Sequence, residues 1–188
     1  VGYFPKLKVI FLARDPVERV WSHLSMEVHH HQIESFDVTD IDEVNRKLLR
    51  RGLLLRSYPS TVVARWKHYV HPDRFRIYFF DDLQRNPTEL RRSVLNFLGA
   101  DPDKSGNRVP ADYNSWSRLE KLPLTEKVRS HLAQFFQKEL KTCAARLGGA
   151  AKEWPARYGF SLLLFVWDLL DGADLILAAG FDPVELIS

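Results

Sequence analysis

The sequence predicts an α/β fold built on a parallel sheet, and three observations carry that reading. Lys8–Ala13 is a short apolar run rich in β-formers that passes directly into a helix start, with no hairpin turn between. Arg74–Phe80 repeats the pattern further along, again with helix signals after it. Helical periodicity fills much of the chain between and after these two runs. Strands that alternate with helices pair in parallel.

The first run, Lys8-Val9-Ile10-Phe11-Leu12-Ala13, reads as a buried parallel strand. Asp15-Pro16-Val17-Glu18 then carries three helix-start signals. Asp15 can cap the first amides, Pro16 suits the first helical position, and Glu18 completes a capping box. This helix runs to about Val28, with Val17, Val20, Trp21, Leu24 and Val28 near one face. A polar stretch, Gln32–Asp40, leads to a second helix over Ile41–Leu55 with a basic run in its later turns. Ser60–Tyr69 reads as a third, with Val62, Val63, Trp66 and Tyr69 at helical spacing. The second strand is followed by Asp81-Asp82, and Pro87-Thr88-Glu89 opens a helix that reaches Leu98 and stops at Gly99. Asp101–Asn114 is a Gly/Pro/Asn/Asp loop, and Thr125–Leu147 reads as one long helix ending at Gly148-Gly149.

Composition bounds the function. The chain has 188 residues, 45% hydrophobic and 27% charged, with 9 Gly and 10 Pro, which excludes a disordered, collagen-like or cysteine-stapled protein. Cys143 is the single cysteine, so no intramolecular disulfide or cysteine cluster for zinc is available. Phe160–Trp167 is the longest apolar stretch and is too short to span a bilayer. With no signal peptide in view, these features favour a cytoplasmic setting, although Val1 suggests a piece of something longer. Residues 160–188 contain no Lys or Arg but five acids, leaving 27 basic against 19 acidic residues in 1–159, a net of +8. The division predicts a domain over 1–159 and an acidic apolar tail of uncertain origin over 160–188, either a terminal packing helix or sequence foreign to the domain. A basic body suits an anionic partner.

Arg14 and Ser22 point to what that partner is. Arg14 sits where a strand ends, and Ser22 lies about two turns into the following helix. Ligands of open α/β sheets bind beyond the carboxyl ends of the strands, where a helix N-terminus can offer amides to an anion. A guanidinium grips phosphate through two hydrogen bonds and a nearby hydroxyl adds a third. On spacing alone, Arg14 could equally pair with Asp15 or Glu18, with Ser22 an ordinary polar helix residue.

The segment Leu12-Ala13-Arg14-Asp15-Pro16-Val17-Glu18-Arg19-Val20-Trp21-Ser22 resembles the 3′-phosphate motif of sulfotransferases that use 3′-phosphoadenosine 5′-phosphosulfate (PAPS). In that family an Arg and a Ser eight residues apart hold the 3′-phosphate, and they fall on Arg14 and Ser22. A second block is also similar. Tyr78-Phe79-Phe80-Asp81-Asp82-Leu83-Gln84-Arg85-Asn86-Pro87, then Phe97-Leu98-Gly99, matches the family's strand, acidic pair and closing helix, and Trp66 fits just before it. Tyr58 is one residue off the family's spacing and carries nothing over.

The resemblance spans roughly Leu7–Trp154, and Asn114, Leu122-Pro123-Leu124 and Trp154 bring it closest to bacterial sulfotransferase domains. It implies a P-loop-like three-layer fold, a parallel sheet flanked by helices, incomplete at the N-terminus. The implied reaction is in-line transfer of a sulfonyl group from PAPS to a hydroxyl or amine on a small-molecule or carbohydrate acceptor, with no metal. The Gly-rich phosphosulfate loop and the general base lie upstream in the family, so catalytic residues are expected before residue 1 and this fragment alone is expected to be inactive.

Other readings rest on less. A non-catalytic nucleotide-binding module shares the Arg14 site, while a P-loop kinase would need G-x-x-x-x-G-K-[ST], a pattern this sequence lacks. Lys104 and Arg108 are candidates for further donor contacts or are solvated loop charges. His29-His30-His31 lacks the i, i+4 spacing of a zinc pair, whereas His23 and Glu27 share a face that could line an acceptor cleft. Asp81 and Asp82 could bind magnesium but better suit capping the next turn. Scattered basic residues argue against nucleic acid.

Overall fold

A computed structural model describes Phe4 and residues 6–48, 51–103 and 121–161. Lys104, Arg108, Asn114 and the tail beyond Ser161 lie outside the described residues. Two strands, β1 (Val9–Ala13) and β2 (Phe75–Phe79), pair in parallel, with Val9 opposite Phe75 and Ala13 opposite Phe79. The crossover between them contains α1 (Pro16–His29), α2 (Ile41–Leu48), α3 (Arg51–Leu55) and α4 (Pro59–Tyr69). After β2 come α5 (Phe80–Arg85), α6 (Pro87–Leu98), α7 (Glu126–Phe135) and α8 (Gln137–Leu147). The 3₁₀ turns Gly149–Glu153 and Ala156–Tyr158 follow. The α/β class and the parallel pairing are as the sequence predicts.

The core forms where α1 packs its Val17, Val20, Trp21 and Leu24 face against Val44, Leu48 and Leu53 on one side. Val128, Leu132, Phe136, Leu140 and Trp154 close the same core from α7, α8 and the final turns. Two other contacts tie α1 to the chain's far half. Trp21 donates its indole N–H to the Leu122 carbonyl at 2.9 Å, and Glu18 pairs with Arg129 at 3.3 Å.

Helix ends follow the local signals. Asp15 caps α1, Asn86 caps α6 and Thr125 caps α7, while Gly99 ends α6 in the left-handed conformation at φ 80°. Helix α4 has no side-chain cap from Tyr58. Buried Glu139 of α8 supplies it instead, accepting from the Ser60 amide at 2.8 Å and its hydroxyl at 2.7 Å. Burial raises the Glu139 pKa while those hydrogen bonds oppose the shift. The carboxylate thereby joins α8 to the positive end of α4.

Four sequence expectations need correction. The strand expected to be buried leaves Ile10 and Leu12 exposed at 39% and 45%, because no third strand or helix among the described residues covers that face. The helix over 125–147 breaks at Phe136 (φ −93°, ψ 11°), a turn that keeps the Phe136 ring in the core against Tyr58 and leaves Phe135 exposed. Phe80–Arg85 forms a short helix rather than a strand end. Finally, Trp66 and Tyr69 are exposed, leaving Val63 as the buried member of that face.

Gly149 holds one close approach open. Its φ is +52°, and a Cβ there would collide with the Phe79 ring. Combining strained backbone with overpacking, Gly149→Ala should lower stability by roughly 2–4 kcal/mol. A denaturant midpoint unchanged from the parent chain would contradict that.

Candidate anion site at the strand ends

Beyond the carboxyl ends of β1 and β2 lies a cavity of about 290 Å³ lined by Arg14, Asp15, Glu18, Phe80, Asp81, Gln84 and Arg157. Parallel pairing puts Ala13 beside Phe79, so the two sequence blocks singled out above end side by side. This is where ligands of open α/β sheets gather.

Arg14 is the first residue past β1. Its guanidinium carbon stacks 4.4 Å from the Phe80 ring centroid and its Nη2 lies 3.8 Å from a Glu18 oxygen. Its Nε is buried and, among the described residues, has no hydrogen-bond partner. Burial pulls its pKa below the ordinary arginine value, against the pull of Glu18, Asp15 and Asp81. A stacked guanidinium with an orphaned donor is a group in want of an acceptor.

Asp15 makes the first turn of α1 a closed site. Its Oδ1 accepts from the Val17 amide at 2.9 Å and the Glu18 amide at 3.4 Å, and its carbonyl accepts from Arg19 at 2.7 Å. Pro16 has no amide hydrogen. The expectation that free helix amides would meet an anion therefore gives way: the amides of this turn are taken, and side chains must do the binding. The Glu18 carboxylate turns to Arg129 and Arg14, where the capping-box reading has it reach back to Asp15.

The second Asp15 oxygen accepts from the Tyr158 hydroxyl at 3.0 Å and lies 3.7 Å from Arg157. Arg157 also bonds Asp81 Oδ1, and the Trp154 indole donates to Asp81 Oδ2 at 3.2 Å. Asp81 is thus an anchor for the last turns rather than the cap of its own helix. Burial pushes the Tyr158 hydroxyl pKa upward, helped by the charge of Asp15.

The Asp15 carboxyl is pushed up to about 6, chiefly by burial, although Tyr158, the Val17 and Glu18 amides and Arg157 oppose the shift. The folded chain therefore binds this proton more tightly than the unfolded chain, whose Asp titrates near 3.8. Stability from this group rises as pH falls through about 6 toward 4, by up to roughly 3 kcal/mol. Asp15→Asn keeps a capping oxygen and removes the titration. Denaturation of both chains between pH 7 and 4.5 should show the parent gaining on the variant as pH falls, and parallel curves would refute it.

Ser22 is half-buried and is not among the cavity-lining residues. It lies four residues beyond Glu18, one turn further along the same face of α1. Arg19 is half-buried between these landmarks, and its charge is disfavoured first by burial and then by Arg14 and Arg56. The flank of α1 beside Arg14 is thus cationic. Arg19 stood in the motif without a role and Arg56 was missed, since proximity across the α1 and α3 packing has no sequence signal. Arg157 and Tyr158 were also missed.

The remaining candidates fall elsewhere. His29, His30 and His31 form the exposed end of α1, and among the described residues no group of three or more His, Cys, Asp or Glu could hold a metal. His23 is buried, with its Nε2 3.7 Å from Glu27. Among the described residues no helix is long and apolar enough to cross a membrane.

The fold has relatives. The fold is similar to that of a sulfotransferase from Alicyclobacillus acidocaldarius known from its crystal structure, with a TM-score of 0.59 and 18% identity. The match covers 81% of this chain and 59% of that one, so the chain spans well under two thirds of that relative's length. No curated protein matches the chain in sequence. The model of the Sulfotransferase family matches residues 2–104, which takes in β1, Arg14, α1 and β2 and is more than half of the 188 residues. Strand ends, arginine and helix all fall inside the matched segment, and the chain belongs to the sulfotransferase family.

Proposed function

We propose that this chain recognises the 3′-phosphate of PAPS, and that the protein transfers the sulfonyl group of PAPS to a hydroxyl or amine of a small-molecule or carbohydrate acceptor. The observation that carries the reading is Arg14. It stands at the carboxyl end of β1, inside the family-matched segment, with a buried Nε that lacks an acceptor. The residues fit a phosphate group: a preoriented guanidinium fork, a hydroxyl at Ser22, and added positive field from Arg19 and Arg56.

PAPS, when bound, supplies an activated sulfonyl group on a phosphate leaving group. The work assigned to this chain is holding and orienting. Fixing the donor's far end turns transfer into an effectively unimolecular step, and discrimination against donors without the 3′-phosphate follows from Arg14 being left unpaired. In this reading the domain spans 1–159, with the acidic tail outside it.

Isothermal titration of the chain with adenosine 3′,5′-bisphosphate and with adenosine 5′-monophosphate tests the proposal. A charge-assisted fork to the extra phosphate predicts at least about a tenfold preference for the bisphosphate. Equal affinities would overturn it. Given a preference, turnover of PAPS by the full-length protein separates an enzyme from a module that only binds.

A further inference from the structure

The strand-end cavity holds two guanidiniums, Arg14 and Arg157, among three carboxylates, Asp15, Glu18 and Asp81. An anion site with that balance works only if the carboxylates are held off the arginine that meets the ligand. The hydrogen bonds show how they are held. Asp15 Oδ1 takes the Val17 and Glu18 amides, and Asp15 Oδ2 takes Tyr158 and faces Arg157. Asp81 Oδ1 takes Arg157 and Asp81 Oδ2 takes Trp154. All four oxygens have a donor, and none of these donors is Arg14, whose one close carboxylate contact among the described residues is the 3.8 Å approach to Glu18.

We infer that Arg157 is a positioning residue for the Arg14 site: it sequesters the Asp15 and Asp81 carboxylates, so that Arg14 keeps its charge and its donors for the ligand. This rests on the reading of Arg14 given above. Arg157 lies 143 residues from Arg14 in sequence, outside the segment the family model matches. Without it, two carboxylates at the edge of the cavity lose the guanidinium that contacts them, and Arg14, already within their electrostatic reach, becomes the competing partner. The ligand then meets an arginine already neutralised, beside uncompensated negative charge.

Adenosine 3′,5′-bisphosphate titrated into the full chain is the readout, with thermal melts confirming that each variant is folded. Arg157→Ala should weaken binding about tenfold or more, and Arg157→Lys should recover part of the loss by restoring charge without the fork. The deciding variant adds Asp81→Asn to Arg157→Ala. A merely structural role makes the second substitution deepen the defect, whereas sequestration predicts recovery of most of the loss, because one of the two competing charges is gone and Asp15 still has Tyr158 and its two amides. Should Arg157→Ala fail to fold, Arg157→Gln, which keeps part of the stem but removes the charge and is too short for the bridge between Asp15 and Asp81, carries the same prediction and the same Asp81→Asn rescue. Parent-like binding by Arg157→Ala, or by Arg157→Gln in its place, overturns the inference, as does absence of rescue. A parent chain with no preference for the bisphosphate over the monophosphate instead marks failure of the Arg14 reading itself.

Discussion

Arg14→Ala should abolish the preference for adenosine 3′,5′-bisphosphate over adenosine 5′-monophosphate, with a loss of bisphosphate affinity between about 10- and 150-fold. The range is that of one hydrogen bond to a charged group, about 1.5–3 kcal/mol, and losing both arms of a fork would push toward its upper end. Binding of the monophosphate should stay near the parent value, because the variant removes only what meets the 3′-phosphate. Arg14→Lys keeps the charge but not the fork, nor the planar stacking on Phe80, and belongs between the two. Ser22→Ala, one neutral hydroxyl, should cost only about two- to tenfold. The Arg14→Ala chain should still fold, since the pairing with Glu18 is long and partly exposed and Arg14 lies outside the buried core. An Arg14→Ala chain that discriminates the two nucleotides as the parent does would refute the assignment.

The largest effect on stability is expected at Trp154. Its side chain is fully buried, packs edge-on against Phe79 at 6.0 Å between ring centroids, and donates to Asp81. Truncation to alanine opens a cavity and removes a donor from a buried carboxylate, costing about 3–5 kcal/mol, a large share of the 5–15 kcal/mol typical of a domain. At this chain length the melting temperature should fall by roughly 6–20 °C. Trp154→Phe separates the causes: it keeps most of the volume, loses the indole N–H, and should cost about 1–3 kcal/mol. A Trp154→Ala chain that melts within about 2 °C of the parent would show that the last turns do not hold the core together.

What was legible in the sequence was local. The strand, the Asp15 cap, Pro16 and the spacing of Arg14 to Ser22 all lie within fifteen residues, and each leaves a chemical trace where it acts. The helix at Phe80–Arg85 was not legible because Phe80, coming directly after Tyr78-Phe79, continues the pattern of a strand. Glu139 reads as a solvent-facing charge on a helix, and only the packing of α8 beside α4 turns it into a buried cap. The Phe136 break leaves no Pro or Gly to announce it, since the apolar spacing runs straight through. The clamp on Asp15 and Asp81 was the least legible of all. Its partners at Trp154, Arg157 and Tyr158 match no motif, and their role exists only once the two strand ends lie side by side.

That clamp also bears on the order in which the molecule can come together. Asp15 meets Tyr158 across 143 residues, Trp21 meets Leu122 across 101, and β1 pairs with β2 only across helices α1 to α4. Pairings this distant slow folding, because the loops they close must be ordered before any contact repays the lost entropy. On the ribosome, at about 5–20 residues per second, β1 would emerge several seconds ahead of the turn that completes its own end. During that interval the core lacks Trp154, and the Asp15 carboxylate has only its own helix to rest on. A nascent chain arrested before Arg157 should therefore engage holding chaperones, and one released after Tyr158 should not.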